Sequence, residues 1–437
     1  MTPFSKQLSQ KLEVQWNQFE KDVQSRISGY HGLEHNGLGH NSLSWCLEKG
    51  SPFRPAYFSL AEYHEKYYQR MISVFCRFFS TSLWKRVVWP HFVDNALALL
   101  ERDYFQILRW DNDPRFKDTK SVFIQHLRYR SESVSSIVSE ALISEFLDVI
   151  GYSIVIYYQL VVGHSDIFIT HKKAQNQRCE ILYEQLRQEV FQRSDSLSLL
   201  FFLSARANWI DSFEHGAASF LKIFPTEIDE IMNSDNLSSF IVPLLGYFNI
   251  RSISRFLNSG PTHILYELDN SGEIYFDFLL IERLLKEGHR ITLVAKEKEC
   301  LNDITFSELT NMISTSPLLE WMAPYINLSL LTIIHSGSAM PGKSLFVVPE
   351  SYRHAYQLSD IIILKGQGNF QNMPMGHYFR GQFIPFQYKK PMIIMMGIKS
   401  PLIYFSLKNM FKKKKKPRLD SIFVYYYDSK DSLTFPI

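Results

Sequence analysis

Between residues 262 and 305 the chain reads THILYELDNSGEIYFDFLLIERLLKEGHRITLVAKEKECLNDIT, and no other stretch limits its fold so tightly. Thr262–Leu268 is a β-branched and aromatic run of the kind that forms a buried strand. Ser271 and Gly272 turn the chain. Glu273 then opens an amphipathic helix predicted to run to about Gly288, its carboxylate suited to the positive first turn. A second strand is expected over Arg290–Ala295, and the polar pair Asn302-Asp303 follows it. The unit is therefore strand, carboxylate, helix, strand, carboxylate. In an open parallel sheet it brings Asp269, Asn270 and Asp303 together beyond the carboxyl ends of two strands, where such sheets bind ligands. Two carboxylates and a carboxamide oxygen form a hard, all-oxygen donor set suited to Mg²⁺ or Mn²⁺.

The same address recurs downstream. Asp360–Leu364 is a short hydrophobic strand running straight into Lys365-Gly-Gln-Gly-Asn-Phe370. Gly366 and Gly368 let the backbone approach a ligand closely, and their N–H groups can line an anion-binding concavity. Lys365 adds a point charge for phosphate. A further strand, Pro391–Met396, ends at Gly397-Ile398-Lys399 and supplies a second lysine at a strand end. A metal site and two lysines at strand ends predict one pocket for a phosphorylated compound.

These residues resemble a known family, the damage-control phosphatases catalogued as domain of unknown function 89, in its acidic-residue-methyltransferase-like branch. The resemblance is carried by LDNSGE at 268–273, by Asn302-Asp-Ile-Thr305 and by SDIIILKGQGNF at 359–370. Ala207-Asn-Trp-Ile-Asp211 resembles the family's Gly-Asn-x-x-Asp element, and Trp89-Pro90 with Glu101 and Tyr104 its helical-domain pattern. The resemblance implies a metal-dependent enzyme acting on phosphorylated small molecules such as sugar phosphates. It implies that Asp269, Asn270 and Asp303 are the metal ligands. Asp269 and Asp303 are the candidate catalytic carboxylates, Asp269 as a ligand or as a nucleophile, and Asp303 bridging metal and substrate or positioning a water. It implies that Glu273, the Lys365–Asn369 loop (Lys365, Gly366, Gly368, Asn369) and Lys399 contact substrate, and that Asn208 and Asp211 line the pocket. There are departures. Met396-Gly397-Ile398-Lys399 stands where the branch has Arg-Thr-x-Lys, Ala207 replaces a glycine, and Gly366-Gln-Gly-Asn369 replaces Gly-Asp-x-Asn.

Texture along the chain gives the architecture. Helical patterning over about 4–28, 60–110, 118–160 and 174–193 gives way to alternating strands at 262–268, 290–295, 329–335, 344–348, 360–365, 391–396 and 421–427. The expected fold is α/β, an α-helical N-terminal domain packed on a C-terminal doubly wound, mostly parallel Rossmann-like sheet. The expected division is a divergent helical extension at 1–70, a helical domain at 71–255 and an α/β metal- and phosphate-binding domain at 256–437.

Composition removes other classes. Net charge is +3 and five positives fall in Lys412–Lys416, so no global basic bias points to nucleic acid. That lysine run reads as a solvated loop rather than a contact for anionic lipid. Cys46, Cys76, Cys179 and Cys300 are far apart and read as reduced thiols of a cytoplasmic protein. The N-terminus shows no signal-peptide core, and the apolar window 146–163, interrupted by Asp148 and Gln159, reads as a core helix rather than a span. His31, His35 and His40 sit among Gly and Asn, as in a surface loop. The reading that follows is a phosphohydrolase using a divalent metal (Mn²⁺, Mg²⁺, Co²⁺ or Ni²⁺) on a phosphorylated small-molecule substrate. Two alternatives are a catalytically weak binding or effector protein that keeps the fold, and an S-adenosylmethionine-dependent carboxyl methyltransferase.

Overall fold

The computed structural model describes residue 166 and residues 168–428, apart from 212–216, 235–236, 238–240, 300–301, 338–342, 344–347, 372–375, 380–381, 386–387, 400–406, 408–417 and 419. Everything expected before residue 166 lies outside the described residues. So do Cys300, the lysine run and nearly all of the strand expected at 344–348. All the described residues except Asp166 fall in one compact unit.

That unit contains helices α1 (Ile169–Val190), α2 (Ser196–Ala207), α3 (Ala217–Met232), α4 (Ile250–Leu257), α5 (Ile274–Lys286), α6 (Phe306–Thr315), α7 (Ala323–Asn327), α8 (Glu350–Leu358) and α9 (Gly366–Gln371). Its strands are β1 (Leu245–Phe248), β2 (His263–Glu267), β3 (Arg290–Ala295), β4 (Leu331–His335), β5 (Ile361–Lys365), β6 (Gly376–Phe379), β7 (Gln382–Pro385), β8 (Met392–Gly397) and β9 (Ile422–Tyr427). Seven strands form one sheet in the order β1-β9-β8-β5-β2-β3-β4, and β6 and β7 pair separately as an antiparallel hairpin. Within the large sheet only β8 and β9 run antiparallel.

The order contains a switch point. From β2 the chain winds outward through β3 to β4, then returns to place β5 on the other side of β2. Connections leaving in opposite directions open a crevice beyond the carboxyl ends of β2 and β5. Register brings the strand ends level there, with Glu267 opposite both Val294 and Leu364, and Lys365 opposite Met395.

Strand alternation explains why helices cover both faces. Ile264 and Tyr266 of β2, Ile361 and Ile363 of β5, and Ile393 and Met395 of β8 share one apolar core with residues of α1, α2 and α5. The intervening Leu265 and Glu267 must point to the other face. There Glu267 accepts a hydrogen bond from Tyr352 of α8 and pairs with Lys343. Continuous hydrophobic runs are what a sheet buried on both faces requires. Helix α2 is itself buried from Leu199 to Ala207, as its sequence LLFFLSARA suggests for a helix enclosed all round. Phe276, Phe278, Leu280 and Ile281 of α5 are fully buried in the same core, each contributing about 1.5–3 kcal/mol.

Three short strands go beyond the sequence reading. β1 has only four residues directly after a turn containing Pro243, and β6 and β7 have four each. Such lengths carry too little periodicity to stand out.

Candidate active site

Backbone pairing first brings the loops together. The Leu268 N–H donates to Val294 O at 3.0 Å, continuing the ladder one residue beyond β2. Next, the Ile304 N–H donates to Asp269 O at 2.9 Å and the Ser271 N–H to Asn302 O at 2.9 Å, so Asn270 and Asp303 face each other across an antiparallel bridge. Lys296, the first residue past β3, donates its N–H to Ile304 O at 3.0 Å and accepts from the Phe306 N–H at 2.8 Å. The two acidic loops are thus zipped to each other and to the end of β3.

Side chains complete the convergence. Asn208, at the start of a 3-10 turn (Asn208–Asp211) after α2, donates through Nδ2 to Asp269 Oδ2 at 2.8 Å and Glu273 Oε2 at 2.9 Å. Asn270 Nδ2 reaches the same two carboxylates at 2.8 and 3.3 Å. On its other side Asn208 accepts from the Gly397 N–H at 3.1 Å through Oδ1, and from Lys399 Nζ at 2.7 Å through its carbonyl. One asparagine therefore ties the end of α2 to β8 and to both acidic positions. The side chain of Asp211 lies outside the described residues.

Gly366 shows how tight the crevice is. Its φ is +78°, and a Cβ built there would lie 1.7 Å from Asp269 Oδ2. The first glycine of the Lys365–Asn369 loop thus makes room for a carboxylate. Gly368 lies half-buried on α9. Asn369 donates through Nδ2 to Leu268 O and Lys365 O, both at 2.9 Å, which ties β2 to β5.

Lys365 departs from the sequence reading. It was expected to present a point charge to phosphate, but its ammonium is fully buried beneath α2. Nζ donates to Ser204 O at 2.6 Å and lies 3.2 Å from Asp277 Oδ1 and 3.4 Å from Glu273 Oε1. One hydrogen bond and two ion-pair contacts hold the ammonium there, so the side chain is a counter-ion under the site. The reason is parity, because Lys365 shares the core-facing side of β5 with Ile361 and Ile363. Asp277 also accepts from Ser204 Oγ and, at 2.8 Å, from Tyr266 OH. Lys399, half-buried, caps the Asn208 carbonyl from β8.

Electrostatics give this cluster its character. Among the described residues here, four buried carboxylates (Asp269, Glu273, Asp277, Asp303) share the crevice with the ammonium groups of Lys296 and Lys365, and the Lys172 ammonium also acts on Asp303. Burial pushes Asp277 up to about 6, with Lys365 opposing the rise and Glu273 adding to it. Burial likewise raises Asp303, with Lys296 and Lys172 pulling it back. Burial alone would lower Lys365, but Asp277, Glu273 and Asp269 outweigh it and hold the ammonium above its ordinary value. Asp303 Oδ2 and Glu273 Oε1 are buried without a well-directed hydrogen bond, although each has an ammonium within 3.3–3.4 Å.

No trio of His, Cys, Asp or Glu surrounds a single point among the described residues. The candidate set remains two carboxylates and a carboxamide. Both Asn270 Nδ2 bonds go to carboxylates, which leaves its Oδ1 as the atom a cation would take. Oxygen donors, a concentration of buried carboxylates and under-bonded carboxylate oxygens suit a divalent ion.

Four residues of this cluster were missed in the sequence. Asp277 follows Glu273 by four positions, so both lie on one face of α5. Lys296, like Lys365, ends a hydrophobic strand. Those two signals were legible. The contributions of Ser204 and Tyr266 depend on how α2 lies on the sheet, which no local pattern reveals.

A family model described as the damage-control phosphatase ARMT1-like domain matches residues 88–401. A damage-control phosphatase of Pyrococcus horikoshii is 33% identical over 112 residues, covering 25% of this chain and 34% of that protein. One of Arabidopsis thaliana is 29% identical over 117 residues, covering 26% of this chain and 32% of that protein. The chain thus matches these curated relatives over about a third of their own length. The crystal structure of a DUF89 family protein from Pyrococcus horikoshii superposes with a TM-score of 0.54 at 18% identity, covering 76% of this chain and 98% of that one, which shows a shared fold. With the family model spanning well over half its length, the chain belongs to the damage-control phosphatase ARMT1-like family.

Proposed function

We propose that this chain is a divalent-metal-dependent phosphohydrolase of phosphorylated small metabolites, sugar phosphates among them. The observation that carries the reading is the pairing of Asn270 with Asp303, beside Asp269, at the switch point of the sheet. Membership of the family and the names of its relatives support the reaction class. When bound, the ion neutralises phosphoryl oxygens and polarises phosphorus. The protein's own share is preorganisation. Asn208 and Asn270 fix the plane of the Asp269 carboxylate, and Lys365 holds Glu273 from beneath. A cytoplasmic location goes with this reading, in keeping with the buried free thiol of Cys179. No helix among the described residues is long and apolar enough to cross a membrane.

The β8 corner shapes the expected substrate range. Met396 is fully buried, and a Cβ at Gly397 would sit 2.6 Å from Trp209 Nε1. The branch's Arg-Thr pair therefore cannot be restored at 396–397 without displacing Trp209. A polar substrate group otherwise held by that arginine would lose its partner, costing on the order of 1–3 kcal/mol, or about tenfold or more in affinity. Simple phosphate monoesters should be preferred over matched substrates carrying an extra carboxylate. Phosphate release from a sugar-phosphate panel with Mn²⁺, Co²⁺, Ni²⁺ and Mg²⁺ in turn tests the activity. Steady-state kinetics on pairs with and without the carboxylate test the preference, and a clear preference for the carboxylated member would refute it. Tight metal binding without turnover on any member of the panel would instead favour a binding protein that keeps the fold.

A further inference from the structure

We infer that Lys296 is the residue that couples metal binding to phosphoryl binding, serving as the anion-binding ammonium once Asp303 is engaged by a cation. The inference rests on the metal-dependent reading above and adds a residue and an order of events to it.

Lys296 is held on both sides. Its backbone is bridged to Thr305 and bonded to Ile304 and Phe306, so it is anchored to the segment that carries Asp303. Its side chain, 3% exposed, enters the crevice. There Nζ lies 3.3 Å from Asp303 Oδ2 and 3.3 Å from Asn369 Oδ1. The orientation of Asn369 is fixed by its two Nδ2 bonds to the carbonyls of Leu268 and Lys365, so its oxygen is the atom turned to the lysine. Lys296 therefore bridges a candidate metal ligand and the last residue of the Lys365–Asn369 loop. Lys365, the lysine that sequence pattern favoured for phosphate, is committed to Ser204, Asp277 and Glu273.

Charge sets the order. In the metal-free site Asp303 engages the Lys296 ammonium, so phosphate alone has to displace that carboxylate and should bind poorly. A divalent cation at Asp269, Asn270 and Asp303 competes for the Asp303 carboxylate and weakens its hold on the ammonium. Lys296 then stands beside a cation in a site of low polarity, a repulsion that an anion between them relieves. Metal should strengthen phosphate binding, and by linkage phosphate must strengthen metal binding by the same factor.

The test uses the full-length chain with Mn²⁺ and inorganic phosphate, followed by calorimetry and by Mn²⁺ paramagnetic resonance. The parent should bind Mn²⁺, and phosphate should raise that affinity about tenfold. Lys296→Met should bind Mn²⁺ at least as tightly, since a positive charge beside Asp303 is gone, yet show no phosphate effect. Lys296→Arg should restore part of it. Mn²⁺ binding by Lys296→Met doubles as its folding control, and Lys296→Gln replaces it if the Met variant is not folded. An undiminished phosphate effect in these neutral variants overturns the inference and leaves the metal site standing. A parent that binds no Mn²⁺ overturns the metal-dependent reading and the inference with it.

Discussion

At the scale of single residues, buried charge sets how this site responds to pH. Asp277 has its carboxyl raised to about 6, burial being the main cause. Between the ordinary carboxylate value and 6 the folded chain therefore holds a proton that the unfolded chain has released. Stability from this group is full at low pH and declines as pH rises through about 4 to 6, by an amount on the order of 3 kcal/mol. Asp303, also raised, adds to the same slope. Asp277→Asn should remove only its own part, so that parent and variant curves of unfolding free energy against pH diverge across that window. Parallel curves from urea titrations would show that Asp277 does not titrate there. Gly366 makes a steric prediction. An alanine would suffer both its positive φ, about 1–3 kcal/mol, and overlap with the Asp269 carboxylate. Gly366→Ala should lose that stability or more and weaken Mn²⁺ binding at least tenfold. Unchanged calorimetry would mean that the loop relaxes more freely than its packing implies. At this scale the sequence revealed Asp269, Glu273 and Asp303 but not Asp277, and it revealed Lys365 without the groups that surround it. Asp269 and Asp303 stand out beside strands, whereas the direction of Lys365 follows from a parity that becomes decisive only once α2 is known to cover that face.

Elements explain why some of the site was readable in advance. Strands β2, β3, β5 and β8 are hydrophobic on both faces and carry a charged residue at their end or within two positions beyond it, so their positions and those charged groups follow from pattern alone. Helix α2 gave no such signal, because a helix buried on every side from Leu199 to Ala207 has no single apolar face to betray its neighbours. Yet α2 delivers Ser204 and, through the turn after it, Asn208. Helix α6 is another element whose end matters to the site. Thr305 Oγ1 accepts from the Glu308 N–H at 3.2 Å, and Glu308 Oε2 accepts from the Thr305 N–H at 2.9 Å, a reciprocal cap two residues after Asp303. The Glu308 carboxylate also receives Lys172 Nζ of α1 at 3.2 Å. Thr305→Ala should therefore cost about 1 kcal/mol. Because the cap anchors the Asp303 loop, Mn²⁺ affinity should fall several-fold as well. A loss of stability with Mn²⁺ affinity unchanged would show that the Ile304 and Ser271 backbone bonds hold that loop without help from the helix.

For the whole molecule, the sheet order decides which distant parts of the chain act together. Residues 208, 269–273, 296, 303, 365–369 and 397–399 meet because strands formed far apart in sequence lie side by side around β2 and β5. The central order β8-β5-β2-β3 should therefore respond to ligand as one body, while the edge strands β1 and β4 stay apart from it. A cation that binds only the folded chain stabilises it by about 2.7 kcal/mol at a hundred times its dissociation constant. That stabilisation should appear locally where its ligands and their supports are hydrogen-bonded. Hydrogen exchange with and without Mn²⁺ should show slowed amides at Leu268, Ser271, Ile304 and Gly397, whose N–H groups close the crevice. Amides of β1 and β4 should change little, since neither strand contributes a residue to the cluster. Protection at Gly397 is the most discriminating readout. It lies on β8, two strands from β2, and reaches Asp269 through the Asn208 side chain. If Mn²⁺ protects the loops at 268–271 and 302–304 but leaves Gly397 exchanging as before, then Asn208 does not transmit the metal site to β8, and the departure at Met396-Gly397 has no bearing on how that site binds.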